Sequence, residues 1–114
     1  MLPAPFTARI FSVRPFPNKR SRLVAAIVEP NKSLSELHST IGDSVKNVCP
    51  EFSAQEHSKA FRPHITLIRN TTAGSVQALA TDIPLEIDSV CLYHSEQQTD
   101  GVQYAKIANF SLPC

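Results

Sequence analysis

The sequence has no tryptophan, one methionine and three glycines, and aromatic residues fill only 7% of its 114 positions. The glycines, Gly42, Gly74 and Gly101, stand far apart, which excludes a glycine-rich phosphate loop. With so few aromatics and no basic-aromatic strip, a sheet that stacks RNA bases in the manner of an RNA-recognition motif is excluded as well. No apolar run approaches the ~20 residues of a membrane span, so no membrane partner is expected. Nor is any stretch repetitive, low in complexity or dense enough in charge to stay unfolded.

An excess of either charge is missing too. Eleven Lys and Arg against ten Asp and Glu leave a net charge of +1, so no global field draws in nucleic acid and any anion must be held locally. The three cysteines, Cys49, Cys91 and Cys114, are an odd set without CxxC spacing, and no secretory pattern precedes them. They are expected to be free thiols that pack inside the fold in a reducing, cytoplasmic compartment. The histidines at 38, 57, 64 and 94 have no metal-ligand spacing to one another or to cysteine, so neither a metal nor a cofactor is expected.

What is present reads as one folded unit over residues 1–114, 42% hydrophobic. Arg9, Arg14, Lys19, Arg20 and Arg22 all precede the first acid, Glu29, a cationic start that a transit peptide would share. Pro3, Pro5, Pro15 and Pro17 would break the helix of such a peptide, and residues 6–13 already read as a strand. Residues 23–28 form a continuous apolar run, as in a strand buried on both faces. Ser33-Leu34-Ser35-Glu36 resembles a capping box, followed by a helical stripe of Leu34, Leu37, Ile41, Val45 and Val48 that Pro50 ends. Residues 50–60 are polar and turn-like, and 61–69 resume a β pattern. A second helix is expected over 72–83 from Val76, Leu79, Ala80 and Ile83. Residues 85–93 and 102–112 then form a hairpin around Asp100-Gly101. The order strand, strand, helix, strand, helix, strand, strand describes an α+β sandwich with two helices on one face of a mainly antiparallel sheet.

Chemistry concentrates in Arg62-Pro63-His64-Ile65-Thr66-Leu67-Ile68-Arg69. On a strand, His64, Thr66 and Ile68 face one way and Ile65, Leu67 and Arg69 the other. Ile65 and Leu67 then anchor the strand to the helices, while an imidazole and a hydroxyl stand ~6–7 Å apart on the opposite face. Such a pair suits a phosphate: imidazole gives or takes a proton near neutrality, and the hydroxyl donates to a non-bridging oxygen. The bare tripeptide is common, however. With 4 His and 7 Thr in the chain, chance supplies about 0.25 His-x-Thr pairs. His38-Ser39-Thr40 is a second match, but it lies on the helix, where residues two apart diverge, and His38 is expected on the helix surface. By its residues alone, His64 is either a half-buried strand histidine with a satisfied hydrogen bond or a group that faces phosphate.

The stretch Phe61-Arg62-Pro63-His64-Ile65-Thr66-Leu67-Ile68-Arg69 closely resembles the second signature of the two-histidine (2H) phosphoesterases, the LigT-like RNA 2′,3′-cyclic phosphodiesterases also called 2′-5′ RNA ligases. That signature reads Pro-His-hydrophobic-Thr-Leu followed by Arg. Residues 11–29 are similar to the family's strand, Phe-Pro turn and next strand, residues 34–48 to the helix before the motif, and 90–95 with 104–112 to its closing hairpin. Family members have two similar lobes that each donate one His-x-Thr or His-x-Ser motif to a central groove. This chain resembles the C-terminal half, a single ferredoxin-like lobe, and lacks the first motif. The Leu2-Pro3-Ala4-Pro5 start resembles the interior of a family sequence.

The resemblance implies that His64 is a catalytic histidine and Thr66 its phosphate-binding hydroxyl. Arg62 and Arg69 flank the motif as substrate-binding positions, and Tyr93 and Ser95 stand near the groove, where packing and turn capping would equally account for them. Three functional expectations follow. A homodimer could bring two copies of His64 and Thr66 into one groove and hydrolyse RNA ends or nucleotides that carry a 2′,3′-cyclic phosphate, without a metal. A binding module could recognise such ends without turnover, its electrostatics supplied by Arg9, Arg14, Lys19, Arg20 and Arg22. A truncated half-enzyme would have lost the activity.

Overall fold

The computed structural model describes residues 2–51, 61–72 and 76–114. Its elements run β1 (Phe6–Phe16), β2 (Leu23–Val28), α1 (Lys32–Val48), β3 (His64–Ile68), β4 (Leu79–Ile87), β5 (Ser89–Gln98) and β6 (Gly101–Ser111). Four strands form an antiparallel sheet in the order β3-β2-β1-β4, and β5 with β6 forms a separate antiparallel hairpin. The fold is therefore α+β with a mainly antiparallel sheet, as expected.

β2 is the central apolar strand. Val24 to Val28 are all buried, and Ala25 is 0% exposed, because both alternating sets of side chains are covered. On one face Ala26 and Val28 join Ala8 and Ile10 of β1 in the core, against which Phe6, Val13, Leu34, Leu85 and Ile87 pack. β1 carries one extra residue against β2, since Ile10 pairs with Val28 and Ser12 with Ile27. Such a bulge resets alternation, which is how Ile10 and Val13, an odd number of residues apart, serve the same core.

The cap of α1 stands two residues before the expected one. Asn31, in extended conformation, accepts the Leu34 N–H through its side chain at 2.8 Å, so Asn31 and not Ser33 caps the helix. The end near Pro50 stands as expected, with α1 closing at Val48, but the buried stripe is shorter than expected: Leu34, Leu37 and Ile41 are covered, whereas Val45 and Val48 are 36% and 83% exposed.

The second expected helix is corrected. Residues 76–78 lie in no regular element and Leu79–Ile87 is strand β4; residues 73–75 of that expected helix lie outside the described residues. Val76, Leu79, Ala80 and Ile83 fit a helical stripe, but Leu79, Thr81, Ile83, Leu85 and Ile87 also alternate with period two across a longer stretch. Pro84 bars an interior helix turn. It is tolerated in β4 because β4 is an edge strand, and the β1 ladder from Phe6↔Ile87 to Val13↔Leu79 satisfies the backbone. Consequently 85–93 is not one strand but two, divided at Asp88. Among the described residues there is one helix. The turn-like stretch expected over 50–60 lies, beyond Glu51, outside them.

The hairpin forms at the expected turn, but its first strand runs Ser89–Gln98 and not 85–93: Gln98 faces Gly101 across Thr99-Asp100, and Gly101 has φ +131°, a backbone state that a side chain would strain. No helix among the described residues is long and apolar enough to cross a membrane. The cysteines are free, but Cys49 and Cys114 are exposed and only Cys91 is partly buried, which corrects their reading as packing residues. The Cys49 thiol donates to Glu51 at 3.2 Å and so lowers the pKa of that exposed carboxyl.

Candidate functional site

β3 is the other edge of the sheet, and its first residue is His64. Pro63 brings the chain in beside β2, its carbonyl accepting the Val28 N–H at 3.1 Å. The register then places His64 opposite Ile27 and Thr66 opposite Ala25. With no irregularity between them, imidazole and hydroxyl share a face. His64 is exposed and Thr66 half-buried, and the Thr66 hydroxyl has no hydrogen-bond partner among the described residues. Those are the properties of a donor open to a ligand.

The imidazole is oriented by its neighbours. His64 Nδ1 lies 2.7 Å from the Arg62 carbonyl oxygen. A carbonyl only accepts, so Nδ1 carries the proton and the neutral ring keeps its lone pair on Nε2. Phe16, the last residue of β1, stacks on the imidazole with ring centroids 4.2 Å apart. The same phenyl ring lies under the Arg62 guanidinium, with Cζ 4.5 Å from its centroid, and Arg62 Nη2 donates to the Pro17 carbonyl at 3.1 Å. The Phe16-Pro17 corner thus locks Arg62 and His64 together.

Beside this cluster runs an open groove of about 870 Å3 whose walls include Phe16, Leu34, His38, Phe61, His64 and Ile65. His38 is half-buried in it and stacks on Phe61 at 4.1 Å, nearly parallel, so the expectation of a plain helix-surface residue is corrected. Among the described residues no three His, Cys, Asp or Glu side chains group as metal ligands.

Beyond Thr66 the simple alternation fails. Thr66 and Ile68 pair with the adjacent residues Ala25 and Val24, so β3 slips by one at Leu67 and turns Ile68 away from the His64 face. Ile65, Leu67 and Ile68 are 40%, 54% and 50% exposed, so neither Ile65 nor Leu67 is buried as an anchor of the strand. Arg69 leaves the strand and donates to the Tyr104 hydroxyl at 2.6 Å; Tyr93 meets Tyr104 edge-on at 6.5 Å, and Ser95 stands opposite Tyr104 in the hairpin. The expected site residues therefore fall into two groups. Arg62, His64 and Thr66 stand together on β3 and its entry, although only Arg62 and His64 line the groove, whereas Arg69, Tyr93 and Ser95 gather at the hairpin and do not line it.

Sequence reasoning passed over Phe16, His38, Phe61 and Tyr104. His38 stands four residues after Leu34, on the inward stripe, which was a usable signal. Phe16 and Tyr104 reach their partners only through long-range pairing.

Comparison with known proteins is consistent with this geometry. Among curated proteins nothing matches. The crystal structure of TT0787 of Thermus thermophilus is similar, with 29% identity and a TM-score of 0.79 over 97% of this chain and 62% of that one. The chain thus spans less than two thirds of that protein's length. The profile of the 2′-5′ RNA ligase superfamily matches residues 3–99, with the His64 and Thr66 strand inside the matched span, and the chain therefore belongs to that superfamily.

Proposed function

We propose that this chain is one lobe of an RNA 2′,3′-cyclic phosphodiesterase that uses histidine as acid and base, without metal or organic cofactor. The observation that supports it is the set orientation of His64: Nδ1–H is held by the Arg62 carbonyl, which leaves the lone pair on Nε2, and the register places His64 on the same strand face as Thr66. In hydrolysis, Nε2 takes a proton from water as the water oxygen bonds to phosphorus. The Thr66 hydroxyl donates to a non-bridging oxygen. The bond from phosphorus to one ribose oxygen breaks, and that oxygen takes a proton from an acid on the far side of phosphorus. Ligation to a 2′-5′ linkage is the same exchange, with a hydroxyl of a second RNA end in place of water.

One imidazole cannot stand on both sides of phosphorus. His38-Ser39-Thr40 does not supply the second, since its side chains diverge on α1. A second copy of the chain does so by two-fold symmetry, each copy contributing His64 and Thr66. Arg62 binds the substrate at the edge of the groove, and Arg69, Tyr93 and Ser95 are reached only by a substrate that extends to the hairpin. The three free thiols fit a cytoplasmic setting.

The test is hydrolysis of a 2′,3′-cyclic nucleotide in the presence of chelator, alongside the mass in solution. His64→Ala should lower the rate by about 10²–10⁴-fold. An unchanged rate in that variant sinks the reading, and an active monomer sinks the shared site. A chain that holds a cyclic-phosphate oligonucleotide but forms no product belongs instead to the non-catalytic binders of RNA ends.

A further inference from the structure

The cations of the N-terminal region are not equivalent. Arg9 forms ion pairs with Glu29 at 2.7 Å and Asp82 at 3.3 Å. Its hydrogen bond to Glu29, with the charges of both acids, holds its pKa above the ordinary value. The groove it lines therefore carries two carboxylates against one cation and does not attract an anion. A second groove, of about 540 Å3, lies past the end of β1. It is lined by Arg14, Lys19 and Arg62, and among the described residues no carboxylate lines it. Its volume is in the range of small-ligand sites.

We propose that Arg14, Lys19 and Arg62 form a second anion site that holds a backbone phosphate of an RNA strand whose end lies at His64. The identity of that end rests on the reading of His64 given above; the cationic groove does not. Arg62 and Pro17 line both grooves, so the two adjoin at these residues. The Arg62 carbonyl orients the imidazole, and its guanidinium is fixed over Phe16 and to the Pro17 carbonyl, between the two grooves. Arg14 lies with Cζ 5.5 Å from the Phe11 ring centroid and has no carboxylate partner among the described residues. Lys19 is carried by a turn that Asn18 pins, its side-chain oxygen accepting the Arg20 N–H at 2.9 Å and its carbonyl the Ser21 N–H at 3.1 Å.

Three like charges around one groove repel one another, and a bound phosphate converts that repulsion into attraction. In a chain of net charge +1 this local arrangement must supply the attraction for a polyanion. The consequence is a preference for strands over mononucleotides. The reacting nucleotide needs His64 and Thr66, and the phosphate of its neighbour needs Arg14 and Lys19.

Binding of a 5′-labelled RNA oligomer ending in a 3′-hydroxyl, followed by fluorescence anisotropy across a salt series, tests this without recourse to turnover. The variant is Arg14→Gln with Lys19→Gln, and Lys46→Gln on the last turn of α1 controls for loss of charge. We expect the double variant to bind at least about tenfold more weakly at low salt, with a log–log salt slope shallower by about 0.7 for one lost phosphate contact to a single strand. Affinity for a 2′,3′-cyclic mononucleotide should be the same in wild type and double variant, and Lys46→Gln should bind the oligomer as wild type does. Equal oligomer affinity in wild type and double variant, or the same loss for the mononucleotide, overturns the proposal. A chain that proves inactive in hydrolysis but shows the oligomer effect refutes the catalytic reading alone, and the cationic site stands.

Discussion

At the scale of the residue, the site depends on which nitrogen of one imidazole holds its proton. The Arg62 carbonyl at 2.7 Å accepts from Nδ1, and that assignment alone makes Nε2 available to water. Nitrogen-15 NMR of the neutral ring should therefore report the Nδ1–H tautomer of His64, and a signal from the Nε2–H form would contradict the geometry. Phe16 is the second lever. Phe16→Leu removes both the stack on His64 and the surface beneath Arg62. It should cost about 1 kcal/mol in urea unfolding and lower kcat more than it raises KM, because what is lost is orientation of the acid/base group. Of the candidate site, His64 and Thr66 were legible from alternation, since a strand places residues two apart on one face whatever surrounds it. The aromatic ring that steadies His64 was not, because Phe16 and His64 are 48 positions apart and meet only through the sheet.

At the scale of the element, two helix starts compete on paper and one forms. Ser33 and Glu36 have the spacing of a capping box, yet Asn31 in extended conformation caps α1. Asn31→Ala should cost about 1 kcal/mol, measured by urea denaturation, whereas Ser33→Ala should cost far less; the reverse order would restore the box. The difference at Leu79–Ile87 has a similar origin. Its apolar residues satisfy a helical and a strand period together, and the choice is made by β1, whose own free edge offers a complete ladder. Propensity over a few residues is weaker than a row of backbone hydrogen bonds. Strands with unambiguous neighbours, such as β2 with its run from Leu23 to Val28, were legible to the residue.

At the scale of the whole molecule, the chain is two sheets with large apolar side chains left in solvent. Tyr104, Ile107 and Phe110 on β6, and Leu67 and Ile68 on β3, are all half-exposed or more. The shared-site reading makes a quantitative prediction that mass alone does not. If each groove needs His64 from two copies, equal mixing of wild type with His64→Ala at constant total chain should leave about one quarter of the all-wild-type activity after exchange, because only dimers of two wild-type chains retain it. A residual of one half would mean that each copy works by itself.

The identity of the family, the strand that carries the imidazole and the hydroxyl, the apolar central strand and the closing hairpin turn at Gly101 are properties of the sequence, because each is a local pattern of a few neighbouring residues. Only the tertiary structure decided that Leu79–Ile87 is an edge strand, that Arg9 is neutralised while Arg14, Lys19 and Arg62 are left facing a common groove, and that Arg69 serves Tyr104. The physical reason is that the ion pairs of Arg9 join residues 20 and 73 positions apart and β1 pairs with β4 from as far apart as Phe6 and Ile87, and no period read along a chain encodes which distant partner arrives.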